Sequence, residues 1–123
     1  MIFGIGTDIV EVERFQKRMD NETFLHLVYT SNEIAYCNEG ANRVERFAAR
    51  FAAKEAFFKA LGTGFSGDIE FTQAEVVHNS DGRPSLIISG AASKKIKDFG
   101  IKNIHLSLSH ETKYATAFVV LES

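Results

Sequence analysis

The segment from about Asn42 to Leu61 constrains this chain most. It reads as one long helix stopped by Gly62, with phenylalanines and alanines on nearly every side. A helix that is apolar all round must be buried, against a sheet or against another subunit. Inside it sits a misfit. At roughly 100° per residue, Glu55 shares a face with Val44, Ala48 and Phe51. A carboxylate on a buried stripe needs a partner, because an unpaired buried charge is strongly destabilising. The chain offers two. Lys59 lies one turn on, at i+4. The other is a metal ion shared with a second carboxylate, which the amino terminus supplies in Gly4-Ile5-Gly6-Thr7-Asp8.

The rest of the pattern alternates helix signals with strand signals. Ile2 to Thr7 reads as a strand with Asp8 at its carboxyl end, and Gly4 and Gly6 permit close approach of a backbone or a ligand. Asp8 followed by Glu11 also has capping-box spacing, so a helix from about Ile9 to Met19 with Asp8 as its cap competes with a ligand role. Arg14, Lys17 and Arg18 share one face of that helix, as a solvated basic face or as a docking site for an acidic partner. Asn21 to Asn38 holds one or two short helices. After the long helix, Ile69 to His78 and Ser85 to Ser89 read as strands joined by a turn at 79–84. Gly90 to Phe99 reads as a helix closed by Gly100. Ile104 to Ser109 alternates strictly, with Ile104, Leu106 and Leu108 inward, and Tyr114 to Leu121 is the last strand. This order is an α+β pattern, and 123 residues suit a single domain, 1–123.

Bulk properties narrow the function classes. A net charge of −2 gives no general attraction for nucleic acid. No stretch is apolar over the ~18 residues of a membrane span, and Met1 to Asp8 lacks the basic start of a secretory leader. A lone cysteine, Cys37, excludes an intrachain disulfide and suits a reducing cytoplasm; its expected role is that of a small buried side chain.

Asp8, Glu55 and Lys59 together suit one chemistry. Two carboxylates are too few to cage calcium, but magnesium takes one or two and completes its shell with water and phosphate oxygens. A lysine beside them is a point charge for phosphate. The loop Gly62-Thr63-Gly64-Phe65-Ser66-Gly67 presents amides and hydroxyls, and Ser109-His110 adds further donors. The set reads as magnesium-assisted chemistry on a phosphate or diphosphate. An i,i+4 ion pair for Lys59 and an ordinary turn role for His110 are the plainer alternatives.

Three segments resemble one known family. Gly4-Ile5-Gly6-Thr7-Asp8-Ile9-Val10-Glu11-Val12-Glu13-Arg14-Phe15 is similar to the opening of the bacterial holo-acyl-carrier-protein synthases, the short form of the 4'-phosphopantetheinyl transferases. Phe51-Ala52-Ala53-Lys54-Glu55-Ala56-Phe57-Phe58-Lys59-Ala60-Leu61-Gly62-Thr63-Gly64 resembles their central K-E-A…K-A motif, and Leu106-Ser107-Leu108-Ser109-His110-Glu111 their last one. The three come in family order and the resemblance covers essentially the whole chain. A large aromatic, often tryptophan, that family members carry near the central motif is replaced here by phenylalanine.

The resemblance implies a small antiparallel sheet packed on a long central helix. It implies transfer of 4'-phosphopantetheine from coenzyme A to a serine of an apo acyl carrier protein, releasing adenosine 3',5'-bisphosphate, in cytoplasmic fatty acid biosynthesis. By motif position Asp8 and Glu55 hold magnesium, Lys59 meets the transferred phosphate, Gly62, Thr63 and Gly64 lie near coenzyme A, and Ser109 and His110 line the nucleotide site. The acidic carrier gives Arg14, Lys17 and Arg18 a docking role. Homotrimers with sites between subunits are the family's assembly. A non-enzymatic nucleotide- or acidic-protein-binding module and a magnesium-dependent pyrophosphate hydrolase are the rival readings.

Overall fold

A computed structural model describes residues 1–65 and 67–123; the Ser66 hydroxyl, counted above among the donors of the glycine loop, lies outside the described residues. In chain order the elements are β1 (Ile2–Glu11), α1 (Val12–Met19), α2 (Glu22–Val28), α3 (Ser31–Asn38), α4 (Arg43–Leu61), β2 (Ala74–His78), β3 (Pro84–Ile88), α5 (Gly90–Asp98), β4 (Asn103–His110) and β5 (Tyr114–Glu122). The architecture is α+β. An antiparallel sheet of order β1-β5-β4 packs on α4, and β2 and β3 form a separate hairpin.

The apolar character of α4 is spent inside its own chain. Its Ala52, Ala53, Ala56, Phe57 and Ala60 pack against Ala117, Val119 and Leu121 of β5. Its other flank, with Phe47, Ala48 and Phe51, packs against Phe15, Leu25, Val28, Tyr29 and Cys37 of α1 to α3. A second subunit is therefore not needed to bury this helix. Gly4 and Gly6 explain how closely it sits on the sheet. A Cβ at Gly4 would run into the Ala60 carbonyl, and one at Gly6 into the Ala56 carbonyl. The close approach these glycines permit is that of the α4 backbone.

Several boundaries differ from the sequence-based expectation. β1 continues through Asp8 to Glu11, because its ladder with β5 runs on to the Glu11–Tyr114 pair. The β-branched Ile9 and Val10 favour that continuation. Asp8 is consequently a strand residue and caps nothing; α1 begins only at Val12, after Glu11. The strand expected from Ile69 starts at Ala74, because Phe71–Gln73 forms a 3-10 turn. Lys54 Nζ draws in both the Phe71 carbonyl (3.1 Å) and the Ala74 carbonyl (2.8 Å), which shapes that turn. Other local signals hold. Thr30 and Glu33 form a reciprocal capping box on α3, and the Gly100 N–H bonds back to the Lys97 carbonyl after α5. Cys37 is fully buried and its thiol is pushed up to about 11 by burial, which makes it inert.

Candidate active site

Side chains on one strand face recur every second residue. After Gly4 and Gly6, the next residue of β1 directed at α4 is Asp8, opposite Ala117 in the ladder. Where the strand passes the last turns of α4, Asp8 meets Glu55, 47 positions away in sequence. Both line one cavity of about 240 Å³, with Ile9, Arg14, Phe15, Arg18 and Phe51 also in its wall. The Glu55 carboxyl is raised above the usual glutamate value, first by partial burial and then by the Asp8 charge; Lys59 and Arg18 pull it back.

Lys59 does not form the i,i+4 pair with Glu55. Its Nζ donates to Asp8 Oδ1 and to the Thr7 carbonyl, each at 3.1 Å, reaching across to the edge strand β1. The fully buried charge on α4 is also not Glu55 but its neighbour Lys54. Lys54 Nζ lies 2.7 Å from Glu33 Oε1, with both side chains wholly inaccessible. Glu33 accepts further bonds from the Thr30 and Val76 amides. This pair ties α3, α4 and β2 together, and the sequence reading passed over it. The signal was available: a lysine amid Ala52, Ala53 and Ala56.

The basic residues of α1 divide. Arg14 and Arg18 line the Asp8–Glu55 cavity, whereas Lys17 does not. The Arg18 guanidinium lies 4.4 Å from the Phe24 ring centre and 5.0 Å from that of Phe51, so aromatic faces hold it at the cavity mouth. All three remain exposed.

The remaining candidates lie elsewhere. Gly62 ends α4 in the left-handed region (φ 81°), and its N–H is already given to the Phe58 carbonyl. Thr63 Oγ1 is 3.2 Å from the Gly64 carbonyl. Ser109 faces the outer side of the sheet and accepts from Thr116 through its carbonyl. His110 Nδ1 lies 2.9 Å from Glu45 Oε1 and lines a second cavity of about 340 Å³. That cavity shares no residue with the first. Its wall holds Tyr36, Arg46, Arg50 and His78, which the sequence reading did not single out. Arg50 is nearly inaccessible, lies 4.1 Å over the Tyr36 ring and approaches His78 Nδ1 at 3.1 Å, yet its Nε has no partner among the described residues. Burial, then Arg50 and Arg46, lower the His78 pKa, so the ring there is neutral near pH 7. The hint in sequence was an arginine pair at i,i+4 within an apolar helix. A third groove, of about 430 Å³, runs along the β1 edge of the sheet, where Asp8 and Lys59 meet Thr7, Ile9, Thr116 and Phe118.

The sequence and the fold have counterparts among known proteins. Residues 4–119 match the model of the 4'-phosphopantetheinyl transferase superfamily. The chain is 53% identical over 124 residues to the holo-[acyl-carrier-protein] synthase of Halothermothrix orenii, covering 99% of this chain and 98% of that one. It is 47% identical to the synthase of Koribacter versatilis, covering 99% of each. The crystal structure of the Neisseria meningitidis synthase superposes with a TM-score of 0.91 at 38% identity over the whole of both chains. That of a Bacillus anthracis synthase, in complex with CoA (3',5'-ADP), gives 0.83 at 40% identity, covering 100% of this chain and 98% of that one.

Proposed function

Because the chain belongs to the 4'-phosphopantetheinyl transferase superfamily, as a transferase of the holo-[acyl-carrier-protein] synthase kind, we propose that it moves 4'-phosphopantetheine from coenzyme A to a serine of an apo acyl carrier protein at the Asp8–Glu55 cavity, with magnesium. The convergence of Asp8 and Glu55 on one cavity, with Arg14 and Arg18 at its wall, carries this reading. The serine oxygen forms a bond to the phosphorus that bears pantetheine. The bridging P–O bond of the diphosphate breaks, and adenosine 3',5'-bisphosphate leaves.

The donor set fits the metal. Two carboxylates, Asp8 and Glu55, line the cavity; Glu11 lies in the same wall, but no three acids, histidines or cysteines among the described residues are grouped to hold a metal together, and magnesium needs no more than two protein ligands when phosphate and water complete its shell. When bound it would neutralise the diphosphate oxygens that repel an incoming nucleophile. Lys59 adds a positive charge at the same place. Of the two carboxylates, Asp8 is paired with Lys59 and Glu55 is not, so Glu55, or a water held by it, is placed to receive the serine proton. Arg14, Lys17 and Arg18 present positive charge to an acidic carrier beside the cavity. No described helix is long and apolar enough to cross a membrane, and a cytoplasmic, single-domain enzyme is the reading that accords with one free cysteine.

Coenzyme A carries phosphate at both ends of its nucleotide. Its second anionic end suits the cavity of Arg46, Arg50, His78 and His110. Arg50 and Glu55 lie roughly 140° apart around α4, so one donor spans both cavities most directly when they come from neighbouring copies. The outer sheet face supports such contact. Ile5, Ile9 and Phe118 are 67%, 64% and 59% exposed there, and they lie alongside the groove containing Asp8 and Lys59. A homotrimer through this face, with sites shared between subunits, is the assembly we propose, and the exposed apolar residues are what supports it.

Incubation with coenzyme A, magnesium and apo carrier protein tests the activity. One phosphopantetheine added to the carrier mass is the expected result. Cleavage of coenzyme A without any carrier would favour a hydrolase, and no reaction would favour a binding module. Mixing an Asp8→Asn variant with an Arg50→Met variant tests the sharing. Partial recovery of activity in mixed oligomers is expected, and none if each chain holds a complete site.

A further inference from the structure

Lys59 holds one of the two carboxylate oxygens that Asp8 could offer to a divalent cation. Its ammonium gives two of its three N–H bonds to Asp8 Oδ1 and the Thr7 carbonyl. The lysine side chain is 54% exposed and that of Asp8 only 17%, so a mobile cation rests on a nearly fixed anion. An ammonium in that place repels a second cation and covers one of the two carboxylate oxygens. The same ammonium is attracted by a diphosphate, and a flexible four-carbon stem lets it move.

We propose that Lys59 is a resident counter-ion. In the free chain it neutralises Asp8. When a diphosphate arrives it moves to the phosphate oxygens and leaves Asp8 open to the cation. The proposal rests on the reading of Asp8 and Glu55 as metal ligands. Its consequence is that cation and coenzyme A bind as a coupled pair. By thermodynamic reciprocity each raises the affinity of the other by one factor, and Lys59 carries a large part of that factor. Glu55, with no ion pair of its own among the described residues, does not share this lock.

The test is manganese binding to the full chain, read from the electron paramagnetic resonance signal of free Mn²⁺, with and without saturating coenzyme A and with a coenzyme A blank subtracted. Without coenzyme A, Lys59→Met should bind Mn²⁺ about tenfold more tightly than the wild type, and Lys59→Arg within about twofold of it. The rise in Mn²⁺ affinity caused by coenzyme A should be smaller in Lys59→Met than in the wild type. If Lys59→Met binds Mn²⁺ no more tightly than the wild type while Asp8→Asn has lost binding, the counter-ion role is overturned and the metal site stands. If Asp8→Asn and Glu55→Gln both bind Mn²⁺ like the wild type, the metal site itself is overturned, and the counter-ion role with it.

Discussion

Glu33→Ala should be among the most damaging single changes in this chain, although Glu33 lies outside the Asp8–Glu55 cavity. It removes three hydrogen bonds at once, from Lys54 Nζ, the Thr30 amide and the Val76 amide. The Lys54 ammonium stays wholly buried, hydrogen-bonded to the Phe71 and Ala74 carbonyls but with no carboxylate in contact. Breaking a buried pair from one side costs about 3–5 kcal/mol. The Val76 amide, stranded in the core, adds roughly 1–3 kcal/mol. The sum is a large part of the ~5–15 kcal/mol that holds a domain of this size folded. Removing both charges should cost less, so Glu33→Met combined with Lys54→Met recovers part of the loss. Urea unfolding followed by circular dichroism, at one fixed protein concentration, measures both. A Glu33→Ala midpoint within about 1 kcal/mol of the wild type would refute the reasoning. So would a double variant less stable than Glu33→Ala, since the energy would then not lie in a stranded charge.

Three other outcomes follow from the same geometry. Gly6→Ala should force β1 away from the Ala56 carbonyl, costing about 1–3 kcal/mol of stability and, by moving Asp8 relative to Glu55, lowering transfer by up to roughly a hundredfold; unfolding and turnover measured together check it, and full activity argues against the close contact. Arg14→Glu should raise the KM for the carrier about tenfold, equivalent to about 1.4 kcal/mol, leave that for coenzyme A unchanged and weaken the salt dependence, as steady-state kinetics at two ionic strengths will tell. Glu55→Gln should abolish transfer yet protect the fold at higher pH. A raised folded pKa makes the Glu55 contribution present below the unfolded value of about 4.3 and lost as pH rises through the raised value. Unfolding midpoints of wild type and variant should therefore coincide at low pH and separate, in the variant's favour, above that window.

How far the residues alone lead depends on how local the cause is. β4 was legible because Ile104, Leu106 and Leu108 alternate with outward polar residues, a pattern the strand itself imposes. The end of α4 was legible because Gly62 adopts the left-handed conformation that glycine favours. Asp8 and Glu55 were legible as a pair only through their chemistry; the contact itself follows from Gly4 and Gly6 admitting the α4 backbone. Lys54 was missed because a helix buried on nearly all sides has no single stripe, so a helical wheel cannot tell which of two adjacent charges is enclosed. The second cavity was missed because its wall is drawn from α3, α4, β2 and β4, and only packing brings Tyr36, Arg50, His78 and His110 together.

The four charged residues of α4 between positions 50 and 59 meet four different surroundings, and the differences bear on function. Lys54 is wholly enclosed and bonded to Glu33 and two carbonyls, which is the condition of a residue whose work is structural. Arg50 is almost as deeply buried but has an unpartnered Nε, and Glu55 is partly buried beside a like charge that raises its proton affinity. Lys59 is exposed and held by one carboxylate and one carbonyl. A folded chain rarely leaves buried polar groups without compensation, and perturbed groups gather where ligands bind. Among the described residues, Arg50 lacks part of its hydrogen bonding and Glu55 forms no ion pair, although Lys59 and Arg18 are near enough to pull its proton affinity down. A phosphate supplies the first and a divalent cation the second. A magnesium-bound diphosphate with a further phosphate at its far end would supply both, on neighbouring copies of the helix, which is the ligand the proposed function assigns.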